Sequence, residues 1–284
     1  MVSGMLSRRS RDGCFELLSG AVFSILLGSC VRTTPFQQDA ERNDLNAENQ
    51  SRLLAKTPPR PYTFVAIGDT HDAYDDTAAA ARSINRMADV EFVAHAGDIT
   101  DRGLLQEFNW AQDSFDELQM PLLMSIGNHD AVSDGKSIYR EMYGPYDYSF
   151  LWGGMKWVFF NSNTLEFGPE VPDREWLRQE IGDRQGQSGI VVVTHHPPVG
   201  ADDLPGGDNS AFYDELLREQ AITLFVHGHI DEFRLYTRHG TPVLQCSTFQ
   251  NRRTFTRVRV DGTALSFERC QLDVCEPVQP ELER

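Results

Sequence analysis

Hydrophobic residues in this chain collect into short unbroken runs, and the runs stop at glycine, histidine or an acid. Residues 63–67 (Thr-Phe-Val-Ala-Ile) lead into Gly68, Asp69, Thr70 and His71, and residues 90–96 lead into Gly97, Asp98, Ile99, Thr100, Asp101, Arg102 and Gly103. Residues 122–126 lead into Gly127, Asn128, His129 and Asp130, residues 190–194 into His195, His196 and Pro197, and residues 222–226 into His227, Gly228, His229, Ile230 and Asp231. Such runs predict strands buried on both faces. Between them, apolar positions recur at helical spacing over 76–87, 104–118, 173–181 and 211–219. Residues 148–160 predict two strands about Gly153 and Gly154, with Trp152, Trp157, Phe159 and Phe160 as core. Beyond His229 the pattern turns to strands alone: one over 242–248, then a hairpin over 254–260 and 264–270 about Asp261-Gly262, a favoured turn pair. Alternation of strand and helix calls for a layered α/β domain.

The ends of the chain read differently from this body, which spans 61–275. Arg8, Arg9 and Arg11 are followed by a mostly apolar stretch over 17–27, then Gly28, Ser29 and Cys30. That order predicts a secretory signal over 1–29, too short for a membrane span. Its ending resembles the lipobox of bacterial lipoproteins. That likeness implies an exported protein anchored to a membrane through a lipidated Cys30, on the periplasmic or outer cell face. An ordinary cleaved signal with an incidental cysteine is the alternative. Residues 30–60 are polar and close on Pro58, Pro59 and Pro61. They read as a flexible tether, with a short helix over 47–54 as the alternative. The Pro- and Glu-rich residues 276–284 read as a loose tail.

Composition narrows the partners. The 284 residues carry a net charge of −16, and loss of residues 1–29 would make the remainder one charge more acidic. A nucleic-acid polymer is disfavoured, because such binding needs a basic stripe. A small anion drawn in by a local metal charge is compatible with the same surface. Of the cysteines, Cys270 and Cys275 are close enough to bridge a short loop, and Cys246 reads as a buried thiol.

The strand ends concentrate metal-ligating chemistry. Asp69 and His71 stand two apart, a spacing that turns side chains the same way on an extended strand. His195 and His229 offer nitrogen, Asn128 a neutral oxygen, and Asp98 a carboxylate able to bridge two ions. Nitrogen and oxygen without thiolate suit Mn, Fe or Zn more than Ca or Mg. With Asp231 the donors number seven, which exceed one transition-metal ion and fit two, roughly 3.5–4 Å apart. His95 reads as a hydrogen-bonded core histidine. His196 reads as support for a ligand or as a substrate contact. Asp202, Asp203 and Asp208 lie in a polar loop, and Asn251, Arg252 and Arg253 read as a solvated loop.

In that order these residues resemble the calcineurin-like metallophosphoesterase superfamily, whose signature runs D-x-H, G-D-x-x-D, G-N-H-D/E, H and G-H-x-H. The resemblance covers about 62–250. It implies a four-layer α/β sandwich, two mixed β-sheets flanked by helices, and makes 61–275 a catalytic domain. It implies hydrolysis of a small phosphate mono- or diester by a metal-bridging hydroxide. One divalent or trivalent ion would be held by Asp69, His71 and Asp231, the other by Asn128, His195 and His229, with Asp98 between them. His195 rather than His196 matches the ligand, since it stands two residues before proline. His129 would protonate the leaving oxygen. Asp101 would orient it, and Arg102 would hold phosphate or else pair with a nearby acid. The chain departs from the signature at Asp231, where the family has histidine. A carboxylate there makes the site less positive and favours Mn or Fe over Zn. In a shifted register His227 and His229 form the pair instead. A catalytically inactive metal- or partner-binding lipoprotein and a nuclease of the same superfamily are the alternative functions. The preference for mono- or diester and the oligomeric state are left open.

Overall fold

The computed structural model describes residues 37–198, 209–218, 222–249 and 253–282. Strand β1 (Tyr62–Ile67) shows how the sequence sets the layers, for all six of its residues are buried. Phe64 and Ala66 enter one hydrophobic core, and Val65 and Ile67 enter another. Side chains alternate across a strand, so a run apolar at every position needs a packed layer on each side.

The first sheet has the order β12-β11-β10-β1-β2-β3. Its members after β1 are β2 (Val90–His95), β3 (Leu122–Met124), β10 (Thr254–Asp261), β11 (Ala264–Gln271) and β12 (Val274–Val278). The second has the order β4-β5-β6-β7-β9-β8. It comprises β4 (Tyr148–Trp152), β5 (Met155–Phe159), β6 (Gly189–Val193), β7 (Ile222–His227), β8 (Arg234–Arg238) and β9 (Thr241–Gln245). Both sheets are mixed: β1-β2-β3 and β5-β6-β7-β9 are parallel, and their neighbours run antiparallel.

Helices α2 (Tyr74–Ile84), α3 (Leu105–Phe115) and α4 (Gly135–Met142) pack Ile84, Phe108, Phe115 and Tyr139 on the outer face of the first sheet. Beyond a four-residue helix α5 (Thr164–Phe167), α6 (Arg174–Gly182) and α7 (Ser210–Arg218) cover the second with Leu177, Ile181 and Leu216. The result is helix, sheet, sheet, helix, the four-layer α/β sandwich.

Between the sheets Trp157 is fully buried, its ring edge-on to Phe64 at 4.9 Å and to Phe92 at 4.8 Å. Trp152, Phe159 and Phe160 are buried too. Truncation there leaves a cavity between the sheets and removes the contacts of β5 with Phe64 and Phe92. Trp157→Ala is therefore expected to lower stability by about 3–5 kcal/mol, read from the urea midpoint at constant slope.

The stretch read as a tether holds helix α1 (Leu45–Leu54), the short helix over 47–54 given as its alternative, with Leu53 buried in the inter-sheet core. The Asn46 side chain accepts from the Met124 backbone N–H at 2.8 Å and donates to the Met124 carbonyl at 3.1 Å. It thereby closes the open edge of β3, which a lone polar residue in a polar stretch does not announce. The tail is also partly structured: β12 runs to Val278, and Glu281 bridges to Tyr236. Cys270 and Cys275 form a disulfide across the β11–β12 hairpin, and Cys246 is a buried free thiol. Strand β8 and helix α4 were not legible, one being an edge strand with polar ends and the other only eight residues long. The signal-like segment, Cys30 and the loop holding Asp202, Asp203 and Asp208 lie outside the described residues.

Candidate metal centre

The carboxyl ends of β1, β2, β3, β6 and β7 meet at one rim, where backbone bonds carry the strand pairing of each sheet on into the loops. The Gly228 N–H donates to the His195 carbonyl at 3.0 Å, the Asp69 N–H to the Gly97 carbonyl at 3.0 Å, and the His71 N–H to the Asp98 carbonyl at 3.1 Å. Four rim residues sit in the left-handed region: Asp69 at φ 51°, His71 at 44°, Asp98 at 60° and His229 at 70°. Non-glycine residues adopt it at a cost of roughly 1–3 kcal/mol each, and such strain gathers at functional sites. Asp69 and His71 therefore converge through a turn rather than through strand alternation. Glycine is required beside them, because a Cβ at Gly127 would overlap the Asp98 carboxylate and one at Gly228 would overlap that of Asp69.

Two groups of electron-pair donors result, joined by Asp98. The first is Asp69, His71 and Asp98, whose ligand atoms lie within 4.8 Å of one another. His71 Nδ1 is 3.2 Å from the Thr100 carbonyl and 3.1 Å from Asp101 Oδ1. Both are acceptors, so the ring proton belongs on Nδ1 and the Nε2 lone pair is left 3.9 Å from Asp98 Oδ2. In the second group, His195 Nδ1 lies 2.9 Å from the Ala96 carbonyl, which fixes a proton there. Its Nε2 faces Asn128 Oδ1 at 2.8 Å, Asp98 Oδ2 at 3.1 Å and His229 Nδ1 at 3.2 Å. His229 Nδ1 is in turn 3.0 Å from Asn128 Oδ1.

Oxygens that only accept, set around a ring nitrogen with its proton on the far side, call for positive charge at that point. The protein alone supplies it by protonation: burial works against a charge on His195, but the Asp98 and Asp69 carboxylates push it up to about 9. Burial would raise Asp98, yet the charge and hydrogen bond of His195 outweigh it and hold the group below its ordinary value. Asp69 goes the other way, raised well above the carboxylate range by burial. His229 drops to about 4, through burial and the neighbouring His195 charge. Transition-metal ions fit the same demand with nitrogen and oxygen donors and no thiolate.

His129 stands at the mouth. Its backbone N–H donates to Asp98 Oδ1 at 2.8 Å, its ring Nδ1 donates to the Asp101 carbonyl at 2.9 Å, and its side chain is exposed. Asp101 thus reaches both histidines, by its carbonyl to His129 and by its carboxylate to His71. Arg102 is largely exposed, and its guanidinium lies 3.6 Å from Glu107 Oε1, the ion-pair alternative of the sequence reading.

Asp130 was not singled out from sequence. Its buried carboxylate accepts from the backbone N–H groups of Asp98, Ile99, Thr100 and Gly127 at 2.9–3.0 Å. One side chain thereby locks the Asp98 and Asn128 loops together, against the burial and the Asp98 charge that push it up to about 6. Its position as the fourth letter of the Gly127–Asp130 motif was the available signal. The Ser162 hydroxyl, also missed, accepts from the His196 backbone N–H at 2.8 Å, and the His196 ring packs on His229 with centroids 4.2 Å apart. His196 thus supports a ligand position. His95 is the core histidine anticipated, 3.2 Å from the Thr70 hydroxyl.

Asp231 does not join either donor group. Its side chain is exposed, and it acts on His229 only as a nearby charge. The left-handed turn at His229 breaks the alternation that would have aimed residues 229 and 231 alike. His227 is fully buried with Nδ1 on the Gly228 carbonyl, so the shifted register does not place it with His229 at the rim either. Arg253 pairs with Asp76 at 2.7 Å, while Asn251 and Arg252 lie outside the described residues.

Known proteins match this chain as follows. The calcineurin-like phosphoesterase family matches residues 62–232. A "probable cyclic nucleotide phosphodiesterase" of Vesicomyosocius okutanii subsp. Calyptogena okutanii (strain HA) is 21% identical over 204 residues, 65% of this chain and 85% of that protein. One from Synechococcus sp. is 23% identical over 180 residues, 60% of this chain and 69% of that one. In fold, purple acid phosphatase PPD1 from yellow lupin seeds superposes with a TM-score of 0.61 at 11% identity, over 80% of this chain and 55% of that one. GAP50, the anchor in the inner membrane complex of Plasmodium, gives 0.60 at 13% identity, over 79% and 92%. At such identities the structural likeness speaks for the fold alone.

Proposed function

Because this chain belongs to the calcineurin-like phosphoesterase family, we propose that it hydrolyses a small phosphoester, with a nucleotide-type diester as the substrate class. The name carried by the curated relatives supports the diester. The observation that carries the reading is the convergence of His195, Asn128, His229 and Asp98 acceptors at distances of 2.8–3.2 Å, joined through Asp98 to Asp69 and His71. Asp69, His71 and Asp98 would hold one ion, and Asp98, Asn128, His195 and His229 a second. When bound, such ions supply Lewis acidity toward the phosphoryl oxygens and activate water.

The remaining work falls to the chain's own side chains. The Asp101 carbonyl fixes the His129 proton on Nδ1, which turns Nε2 outward to the mouth. There a protonated ring can give its Nε2 proton to the departing alkoxide. Asp130 keeps the Asp98 and Asn128 loops in register while this happens. Arg102, held near Glu107, lines the entrance.

The test is hydrolysis of bis(p-nitrophenyl) phosphate by protein reconstituted with Mn²⁺, Fe²⁺ or Zn²⁺ and stripped again by chelator. No turnover with any ion would overturn the reading. Asp231→Ala is expected to leave metal stoichiometry unchanged and to alter turnover by less than about threefold, since an exposed side chain outside both donor groups contributes little. The rival reading, a binding protein without catalysis, draws on the exposure of Asp231. Loss of one equivalent of metal in Asp231→Ala would show instead that this residue completes the first site.

Export belongs to the same proposal and rests on the order of basic, apolar and small residues up to Cys30. Cys30→Ser is expected to abolish incorporation of labelled fatty acid and move the protein to the soluble fraction.

A further inference from the structure

Beyond the metal rim, Tyr74 and Trp110 form an aromatic pair between two helices. Helices α2 and α3 both begin at the rim, each following a ligand-bearing loop. Tyr74 is the first residue of α2. On α3 the core side carries Leu105, Phe108, Ala111 and Phe115, while Trp110 faces away from it and is 48% exposed. Among the described residues it is the one exposed tryptophan or phenylalanine. The indole packs against the Tyr74 ring, with centroids 5.6 Å apart and planes at 60°. Tyrosine and tryptophan pair a large apolar face with a polar edge and are enriched at binding surfaces.

The neighbourhood of the pair gives it a direction. Tyr74 follows His71 by three residues, and Trp110 stands one helical turn after Glu107, whose carboxylate accepts from the backbone N–H groups of Arg102 at 2.9 Å and Leu104 at 3.3 Å, directly after Asp101. Asp101 is the residue whose carbonyl accepts from His129 and whose carboxylate meets His71. The aromatic pair therefore lies on the flank of the proton donor. A proton donor to the leaving oxygen marks the side on which the alcohol departs, so whatever the alcohol carries extends toward that flank. In a cyclic nucleotide the leaving oxygen stays on the nucleoside, and the base travels with it. A flat, half-exposed indole braced on a phenol, with an arginine nearby, suits an aromatic base by stacking and cation–π contact. It offers a polyol or a bare alkyl alcohol far less.

We propose that Trp110 and Tyr74 form the subsite for the base of a nucleoside phosphoester, with Trp110 setting the preference for nucleosides over base-free alcohols. This rests on the phosphoesterase reading of the rim and names the residues that choose its substrate.

The test compares two six-membered cyclic diesters, adenosine 3′,5′-cyclic monophosphate and the cyclic phosphate of propane-1,3-diol, on metal-loaded full-length protein. Trp110→Leu is expected to lower kcat/KM for the nucleotide about tenfold, through KM, in line with base–aromatic stacking. The base-free ester should be unaffected, and Trp110→Phe should retain most of the nucleotide preference. Calorimetric titration with adenosine 5′-monophosphate should show the same tenfold weakening in Trp110→Leu, with glycerol 3-phosphate unchanged. An equal effect on both esters, or none on either, overturns the subsite. Turnover of both esters with no dependence on Trp110 sinks the subsite and leaves the phosphoesterase standing. Binding of adenosine monophosphate that depends on Trp110, without turnover of either ester, does the reverse.

Discussion

Asp98→Asn is expected to empty at least one metal position and to lower phosphodiester turnover by about a thousandfold or more, while the protein stays folded. The first part follows from where the carboxylate sits. Its Oδ2 is 3.1 Å from His195 Nε2 and 3.9 Å from His71 Nε2, so one oxygen serves both donor groups. Asparagine can keep Oδ1 on the His129 backbone N–H, where the acid accepts at 2.8 Å. Its Nδ2 must then point at the two ring nitrogens. The change removes a negative charge and aims N–H groups at the place where positive charge was required. His195 gains a hydrogen bond without a cation, which is why the fold survives. Loss of charge stabilisation at a phosphoryl centre is among the largest single effects a site shows. Metal analysis after dialysis, circular dichroism and turnover of bis(p-nitrophenyl) phosphate together check the claim. Full metal content with near-normal turnover would refute the bridging position.

His129→Ala is expected to spare the metals and remove proton donation. The loss should reach about 10²- to 10⁴-fold for an ester of an alkyl alcohol, the range for general acid catalysis. It should be far smaller for a p-nitrophenyl ester, whose leaving group departs without a proton. The contrast separates an acid from a ligand, since loss of a ligand would depress both esters together. The expectation rests on three features: the ring is exposed, its Nδ1 is engaged by the Asp101 carbonyl, and its backbone N–H rather than its ring meets Asp98. Equal losses for the two esters, or loss of bound metal, would remove His129 from that role.

Much of this was written in local sequence because each local signal had one physical outcome. A run such as Phe64-Val65-Ala66-Ile67 is apolar at every position, and only a strand covered on both faces hides all of it. The Asp261-Gly262 pair between alternating strands leaves little besides a hairpin. The strand-end acids and histidines were equally visible, since they interrupt apolar runs at fixed places. What these signals could not convey was orientation. Asp69, His71, Asp98 and His229 meet because their backbones turn left-handed against steric preference, a conformation held by bonds between loops distant in the chain. The same turn sends Asp231 to the surface, although its spacing from His229 suggested a partner.

The sequence by itself determined most of the strands and which of their ends carry acids and histidines, for burial of apolar runs and turn chemistry act over a few residues; the four layers it implied only through the family resemblance. Only the tertiary structure decided that Leu53 and Asn46 join the body, that Asp130 clamps two loops, and that Trp110 packs on Tyr74 from another helix. Those placements depend on what another part of the chain leaves uncovered or unpaired: the edge of β3, the N–H groups of Asp98, Ile99, Thr100 and Gly127, and the open flank of α3. No short stretch of residues carries that information.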